Sequence, residues 1–320
     1  MTPSPPSVLI ITWKGGELLQ RCLDSVDAQS LRPTRVRVVL ARPRADLLPP
    51  GVEALILDRQ TDFAAAANAG LRELSGDVLL LNDDTEAHPE LLAELHRARR
   101  AGGAGIYQPR ILLADGSGRI DNLGHRLFFD GFNIARGRGQ PDPESLPQDT
   151  CGAFSGAAVL LCGEVLERVG LFDERLGAFG EDLDLSLRAV RQGYTIRLVP
   201  EARIDHQLGS SYGRTGLKKV YRVERNRALA AARSLPWTAL VVSPLSTPSR
   251  LVRLAMLGER GPAAGLRAGA ALATLGGAFA GVLGVPGALR RRREDRARWT
   301  RGEREMVGWL WAHRWREEGG

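Results

Sequence analysis

The stretch Leu79-Leu80-Leu81-Asn82-Asp83-Asp84-Thr85 decides how this chain is read. Three leucines in series favour burial. The two carboxylates that follow need water, a cation or hydrogen bonds. A strand that leaves the core at its C-terminal end and presents acids there is how open α/β sheets build ligand sites. A second acidic cluster, Glu181-Asp182-Leu183-Asp184, follows about one hundred residues later. One cluster suits a cation and the other suits proton chemistry.

Working outward, Val8–Ile11, Val36–Leu40, Val52–Leu57 and Asp77–Leu81 read as strands, and 17–28 and 62–75 as helices. This order predicts an α/β fold with a mostly parallel central sheet flanked by helices. Ile106–Leu112 reads as a strand broken by Pro109, and Asp115–Gly118 as a turn. Residues 130–149, rich in Gly, Pro, Asp and Arg, read as a mobile surface loop. Gly156–Leu161 and Thr195–Val199 are further strands. Helices start at Glu164 and at Asp182, the latter closed by Gly193. Near residue 235 the texture changes. The expected division is a domain over 1–234 and a basic, apolar helical extension over 235–320.

With 320 residues, 43% of them apolar and 25% charged, the chain can bury a sizeable core and is not broadly disordered. Cys22, Cys151 and Cys162 are odd in number and lack metal-ligand spacing, which fits a reducing compartment. Met1–Pro6 shows no basic and apolar leader, so a cytoplasmic location is expected. The net charge of +7 is uneven. Residues 231–320 hold fifteen Arg, no Lys and seven acids, for a net of +8, against −1 for the remainder. Such a tail points to an anionic membrane surface rather than nucleic acid, the plain alternative being a compositional bias toward Arg, Ala and Gly. Ala268–Val285 is uncharged and Arg290–Arg293 follows it. Eighteen weakly apolar residues favour an interfacial segment over packing within a soluble fold, and either over a full span. Trp309, Trp311 and Trp315 beside arginines suit a headgroup layer or the packing of a helix pair.

Asp84, at a strand end, can hold Mg²⁺ or Mn²⁺. Asn82 shares its face and can orient a ribose or a metal-bound water. Asp83 points the other way and is the weaker ligand. Both acids can instead cap the helix that begins near His88. Glu181 and Asp182 open a helix whose dipole favours an ionised carboxylate, so Asp182 can accept a hydroxyl proton. Gly177–Gly180, with Phe179, can floor a pocket for the molecule bearing that hydroxyl. His206, in a polar loop past a strand, can join Asp84 on the cation or meet phosphate. His88, His96, His125 and His313 have no partner spacing and read as structural or solvent-facing. Arg222–Arg227 reads as a solvated helix face or a phosphate contact.

Taken in order, these blocks resemble the inverting nucleotide-sugar glycosyltransferases of family 2, with the GT-A fold, and most of all their bacterial rhamnosyltransferase-like branch. Ser7–Lys14 is similar to the family's first strand, with Lys14 where an asparagine is usual. Phe63–Gly70 resembles its segment near the nucleotide, although Thr61-Asp62 departs from the usual start. Leu81–Thr85 resembles the modified metal motif. Phe154–Ala157 resembles the acceptor-side strand. Val169–Glu174 and Phe179–Arg188 resemble the family's most distinctive block. His206 with Ser210-Ser211, and Arg225-Asn226-Arg227, resemble its C-terminal patterns.

The resemblance covers roughly 7–230. It implies Asp182 as base, and Asp84 and His206 on a divalent cation. It also implies Thr12, Trp13, Asp58, Asn68, Asn82 and Asp83 near the nucleotide, and Gly156, Phe179 and Glu181 near the acceptor. Leu40–Arg44 replaces an acidic run that can meet the nucleobase, which leaves the base open. The implied reaction is metal-dependent transfer from a dTDP- or UDP-sugar, with dTDP-rhamnose a candidate, to a cell-envelope or lipid-linked glycan. It would take place at the inner face of the cytoplasmic membrane. The alternatives are a noncatalytic nucleotide-binding scaffold and a sugar-nucleotide nucleotidyltransferase. Thr12–Gly16 is a poor phosphate loop for the latter.

Overall fold

Ser7–Thr12 (β1) is buried at all six positions, as expected of a strand covered on both faces. In the computed structural model, which describes residues 3–207, 216–243, 248 and 264–314 (side chains of 264–268 excepted), β1 lies inside a nine-stranded sheet. The N-terminal half alternates Gly16–Asp27 (α1), Val36–Leu40 (β2), Ala54–Ile56 (β3), Phe63–Leu71 (α2) and Val78–Asn82 (β4). Then come Thr85–Ala87 (β5), Leu91–Gly102 (α3), Ile106–Leu113 (β6), Ile120–Asn122 (β7), His125–Leu127 (β8) and Asn133–Ala135 (β9). Ala158–Leu161 (β10), Gly163–Val169 (α4), Glu181–Arg191 (α5), Ile196–His206 (β11) and Leu217–Ser234 (α6) complete the body. Ala264–Arg296 (α7) and Glu303–Ala312 (α8) follow.

The strand order is β3-β2-β1-β4-β10-β6-β11-β5, with β7 on β6. Pairing is parallel from β3 through β4, as the sequence implies. Past β4 the sheet is mixed, because β10 runs antiparallel to both neighbours. Gly15 fixes the β1–α1 turn. Its φ is 61°, and a Cβ there would lie 1.9 Å from the Leu47 carbonyl oxygen.

Two registers bring distant sequence together. Ile11 pairs with Asn82 across β1 and β4, which sets Thr12 beside Asp83. β11 continues past Pro200 through a register shift and ends with His206 opposite Thr85 of β5. A bulge is how a strand accommodates a proline. The sequence reading ended this strand at Val199 and left His206 in a loop; the structure makes His206 its last residue.

Residues 130–149 are not the loose loop expected from composition. They contain β9, the buried Asp130 and the Arg136–Asp149 ion pair at 2.8 Å. Nor is Arg222–Arg227 a solvated face. Arg222 pairs with Asp62 at 2.8 Å, and Arg227 binds Glu224 and the Asp130 carbonyl.

The extension lies back on the body. Gly277, Gly281 and Gly284 of α7 face α6, where added Cβ atoms would meet the Tyr221 carbonyl, Ala228 and Leu229. The opposite side of α7 exposes Leu272, Leu275, Phe279, Val282 and Leu283, each 63–70% accessible. Met306 of α8 joins the main core, and the His313 carbonyl accepts from the Leu127 amide at 3.0 Å. Trp309 packs on the core, and Trp311 lies exposed beside Phe129 under Arg314. Trp315 and Gly209–Ser211 lie outside the described residues.

Candidate active site

At the end of β4 the two acids diverge. Thr12 Oγ1 donates to Asp83 Oδ2 and in turn accepts from the Gly15 amide at 2.8 Å. Burial, reinforced by the Asp84 charge against the Thr12 bond and Lys14, pushes the Asp83 carboxyl up to about 6. Asp84 instead meets His206, whose Nε2 lies 3.4 Å from Asp84 Oδ1. His206 Nδ1 is 2.8 Å from Asp121 Oδ2. Burial works against charge on His206, but the two carboxylates outweigh it and raise the imidazole to about 9.

This pair fits a divalent cation. Ligands of one octahedral ion at about 2.1 Å sit roughly 3 Å apart, close to the Asp84–His206 separation. A carboxylate on the other ring nitrogen, as Asp121 supplies, orients a ligating histidine. Among the described residues no group of three or more His, Cys, Asp or Glu is placed to hold a metal ion together. The remaining positions would therefore fall to substrate oxygens and water. Binding would displace the His206 proton.

The second cluster is held by a different framework. Gly180 precedes α5 with φ 106°, and Phe179 is the one non-glycine with positive φ among the described residues, at 69°. Such strain costs about 1–3 kcal/mol and persists only where neighbours impose it. Here Asn226 Nδ2 donates to the carbonyls of Leu176, Ala178 and Phe179 at 2.9, 3.2 and 2.7 Å. Asn226→Ala should therefore cost on the order of 1–3 kcal/mol through unpaired buried carbonyls. Urea unfolding would measure it, and unchanged stability would remove this role.

Asp184 is structural: burial raises its carboxyl, but Arg188 at 2.7 Å and Arg233 at 3.2 Å more than reverse this. Burial first, and Asp182 second, push Glu181 well above the usual carboxylate range. Its protonated form is thus favoured, and it can donate a hydrogen bond.

The two clusters meet. Trp13, Asn82, Gly156, Phe179, Glu181, Asp182 and His206 line one cleft of about 280 Å³, together with Asp121, Asn122, His125, Arg138 and Lys219. Asn82 Oδ1, Asn122 Oδ1 and Glu181 Oε2 are buried there without a hydrogen-bond partner among the described residues. Buried polar atoms of this kind call for a ligand. Trp13 is fixed by its Nε1 bond to the Thr61 carbonyl at 2.8 Å and by stacking on Phe63.

Four expected nucleotide contacts lie outside this lining. Thr12 and Asp83 bond each other. Asp58 is exposed after β3. Asn68 binds both backbone groups of Phe172 and the Glu174 carboxylate at 2.9–3.0 Å, so it fastens α2 to the loop after α4.

Sequence reasoning missed Asp121, Asn122, His125, Arg138 and Lys219. The structure sets His125, read from sequence as structural or solvent-facing, in the lining of the cleft with Asp182. His125 Nδ1 is 3.1 Å from the Phe154 carbonyl and Nε2 is 3.3 Å from Asn122 Nδ2, and burial lowers its pKa. The available signal was Ile120-Asp121-Asn122-Leu123-Gly124-His125, polar residues at turn spacing with no charge run to explain them.

The family model described as glycosyl transferase family group 2 matches residues 78–257, more than half of the chain and both acidic clusters. The chain belongs to this family. Over 65% of its length it is 28% identical to an N-acetylglucosaminyl-diphospho-decaprenol L-rhamnosyltransferase of Mycobacterium tuberculosis, covering 77% of that protein. Over a similar share it is 28% identical to the O-antigen biosynthesis protein RfbC of Myxococcus xanthus, of which it spans only 18%. Among solved structures, S. aureus TarS 1-349 in complex with UDP-GlcNAc aligns with a TM-score of 0.58 at 14% identity, covering 96% of this chain and 90% of that one. The mannosyltransferase PcManGT from Pyrobaculum calidifontis, in complex with GDP-Man and Mn²⁺, aligns at 0.52 and 17% identity, covering 92% and 87%. These two likenesses carry the fold, a GT-A glycosyltransferase architecture.

Proposed function

We propose that the chain is an inverting, cation-assisted glycosyltransferase that moves a sugar from a nucleoside-diphosphate donor to a hydroxyl of a lipid-linked or cell-envelope glycan. The reading rests on one observation: Asp182 and His206 line one cleft, and His206 is 3.4 Å from Asp84. Asp84 and His206 would hold Mg²⁺ or Mn²⁺. Such a cation neutralises charge on a departing diphosphate. Asp182 takes the proton of the acceptor hydroxyl as its oxygen attacks the anomeric carbon on the face opposite the leaving group. One displacement inverts the configuration and needs no glycosyl-enzyme intermediate. Glu181, protonated, donates to a sugar oxygen.

The proposed donor is a dTDP- or UDP-sugar; the name of the Mycobacterium relative supports rhamnose as the leading sugar and an N-acetylglucosaminyl-diphospho lipid as acceptor class. Donor hydrolysis without acceptor, measured across a panel of sugar nucleotides, tests the reading. One preferred nucleotide sugar is expected; no turnover of any donor, with or without lipid-linked acceptors, would overturn it.

We place the enzyme at the inner face of the cytoplasmic membrane through 235–320. Gly269–Arg296 contains an 18-residue stretch long and apolar enough to cross a bilayer, with a mean hydropathy of 1.6 and 22% of that stretch buried. The exposed stripe Leu272, Leu275, Phe279 and Val282 continues in phase into the exposed Arg290 and Arg293. Apolar side chains with arginines on the same face match an anionic lipid surface. Replacing Leu272, Leu275 and Phe279 by Ser should release the protein from phosphatidylglycerol vesicles in a flotation assay. Retention equal to wild type would refute this attachment.

A further inference from the structure

The turn between β8 and β9, Phe128-Phe129-Asp130-Gly131-Phe132, carries three phenylalanines in five residues, all of them half-buried. Turns are usually polar, so apolar rings grouped on one mark a contact surface. The turn is braced. The Phe128 amide donates to the Phe132 carbonyl at 2.7 Å, and the Phe132 amide to Asp130 Oδ1 at 3.1 Å. Asp130 is buried, and Arg227 of α6 donates to its carbonyl at 2.6 Å. The rings are therefore held in place before anything binds them.

They form a path with two ends. At one end Phe132 lines a cavity of about 190 Å³ that Asp182 also lines. Phe128 packs edge-on against Phe132, with ring centres 6.0 Å apart. Phe129, the next residue, lies 5.7 Å from Trp311 of α8. The Leu127 amide donates to the His313 carbonyl at 3.0 Å, which fastens the end of α8 to the hairpin. Trp311 is 55% exposed, and Val307, one turn earlier on the same face, is 39% exposed. Arg314 stacks over the Trp311 indole at 3.7 Å. The path thus starts beside the proposed base and ends on the surface at a tryptophan–arginine pair, a combination suited to the polar layer of a membrane.

We propose that Phe128, Phe129 and Trp311 bind the isoprenoid chain of a lipid-linked acceptor where it leaves the cleft for the bilayer. The assignment rests on the glycosyltransferase reading and concerns the part of the acceptor that does not react. An isoprenoid is apolar along its length and offers nothing to hydrogen-bond, so a braced row of rings is the surface that fits it. Two apolar surfaces then have separate tasks. The exposed stripe of α7 meets the bilayer and holds the enzyme there, while the aromatic path recognises the acceptor.

The test uses the full chain saturated with nucleoside diphosphate and Mg²⁺, titrated in a calorimeter with N-acetylglucosaminyl diphosphate esterified to farnesol or to ethanol. Wild type should bind the farnesyl ester at least about tenfold more tightly, the effect of burying roughly 60 Å² of apolar surface. Phe129→Ser with Trp311→Ser should remove that preference, and Phe129→Leu with Trp311→Leu should keep most of it. Both pairs should match wild type in affinity for the ethyl ester and the nucleoside diphosphate, and should still float with phosphatidylglycerol vesicles. Equal binding of the two esters by wild type, or a preference that survives the serine pair, overturns the assignment. Lost flotation with the preference intact overturns it by making the surface a bilayer contact. A serine pair that also loses nucleoside diphosphate affinity overturns it by making the rings structural. If wild type binds nucleoside diphosphate but neither ester, the assignment falls alone; if it binds no nucleoside diphosphate, the glycosyltransferase reading falls with it.

Discussion

Asp182→Asn is expected to lower kcat by roughly a hundredfold or more while leaving donor affinity nearly intact, the scale of losing a general base. The substitution keeps shape and the hydrogen bond that Asp182 Oδ1 accepts from the Leu183 amide at 2.7 Å, so the fold around α5 should persist. Glu181→Gln supplies the contrast. A carboxyl that burial and Asp182 already hold toward its protonated form is mimicked by an amide, so turnover should stay within about tenfold of wild type. Single-turnover kinetics with saturating donor would separate the two. Equal turnover of Asp182→Asn and wild type would remove Asp182 as base. A larger loss from Glu181→Gln would transfer the role to its neighbour.

The division of labour between these adjacent acids shows what a sequence can carry. The apolar run into Asn82-Asp83-Asp84 and the acids opening α5 were both legible, because burial and strand ends follow from local composition. The parallel order of β1, β2, β3 and β4 followed from alternating strand and helix signals. Three things were not legible. β11 runs through Pro200 by a register shift against β6, and its continuation past that point sets His206 opposite Thr85. Asn68 looked like a ligand contact because Phe63–Gly70 resembles the family's segment near the nucleotide, but its amide fits the backbone of Phe172, more than a hundred residues away. Residues 130–149 looked mobile by composition. Their order comes from Arg110–Asp142, Arg136–Asp149 and Arg227–Asp130, pairs that no local pattern announces. Long-range polar pairing was the invisible term in the last two cases and a register shift in the first, whereas the hydrophobic periodicity that sets the strands β1, β2 and β4 is local.

Asp84→Ala should remove the cation-dependent part of donor binding and lower turnover by about a hundredfold, on the order of 3 kcal/mol of lost charge stabilisation at the leaving group. The argument is electrostatic and local. Asp84 is buried, and its neighbour Asp83 is tied to Thr12, so no second carboxylate at the end of β4 is turned to replace it. His206 alone offers one neutral nitrogen, and without Asp84 only Asp121 remains to orient it. Asp121→Asn should then produce a graded version of the same defect, about 10–100-fold in cation affinity, because it disturbs the ligand's orientation and not the ligand itself. Calorimetric titration of Mn²⁺ with donor nucleotide present reads both. Strong loss in Asp84→Ala with intermediate loss in Asp121→Asn is the ordered result expected of a ligand and its support. Affinity unchanged in both would mean that the Asp84–His206–Asp121 chain is a structural ion-pair network, and the leaving group would have to be stabilised by Arg138 or another cation of the cleft.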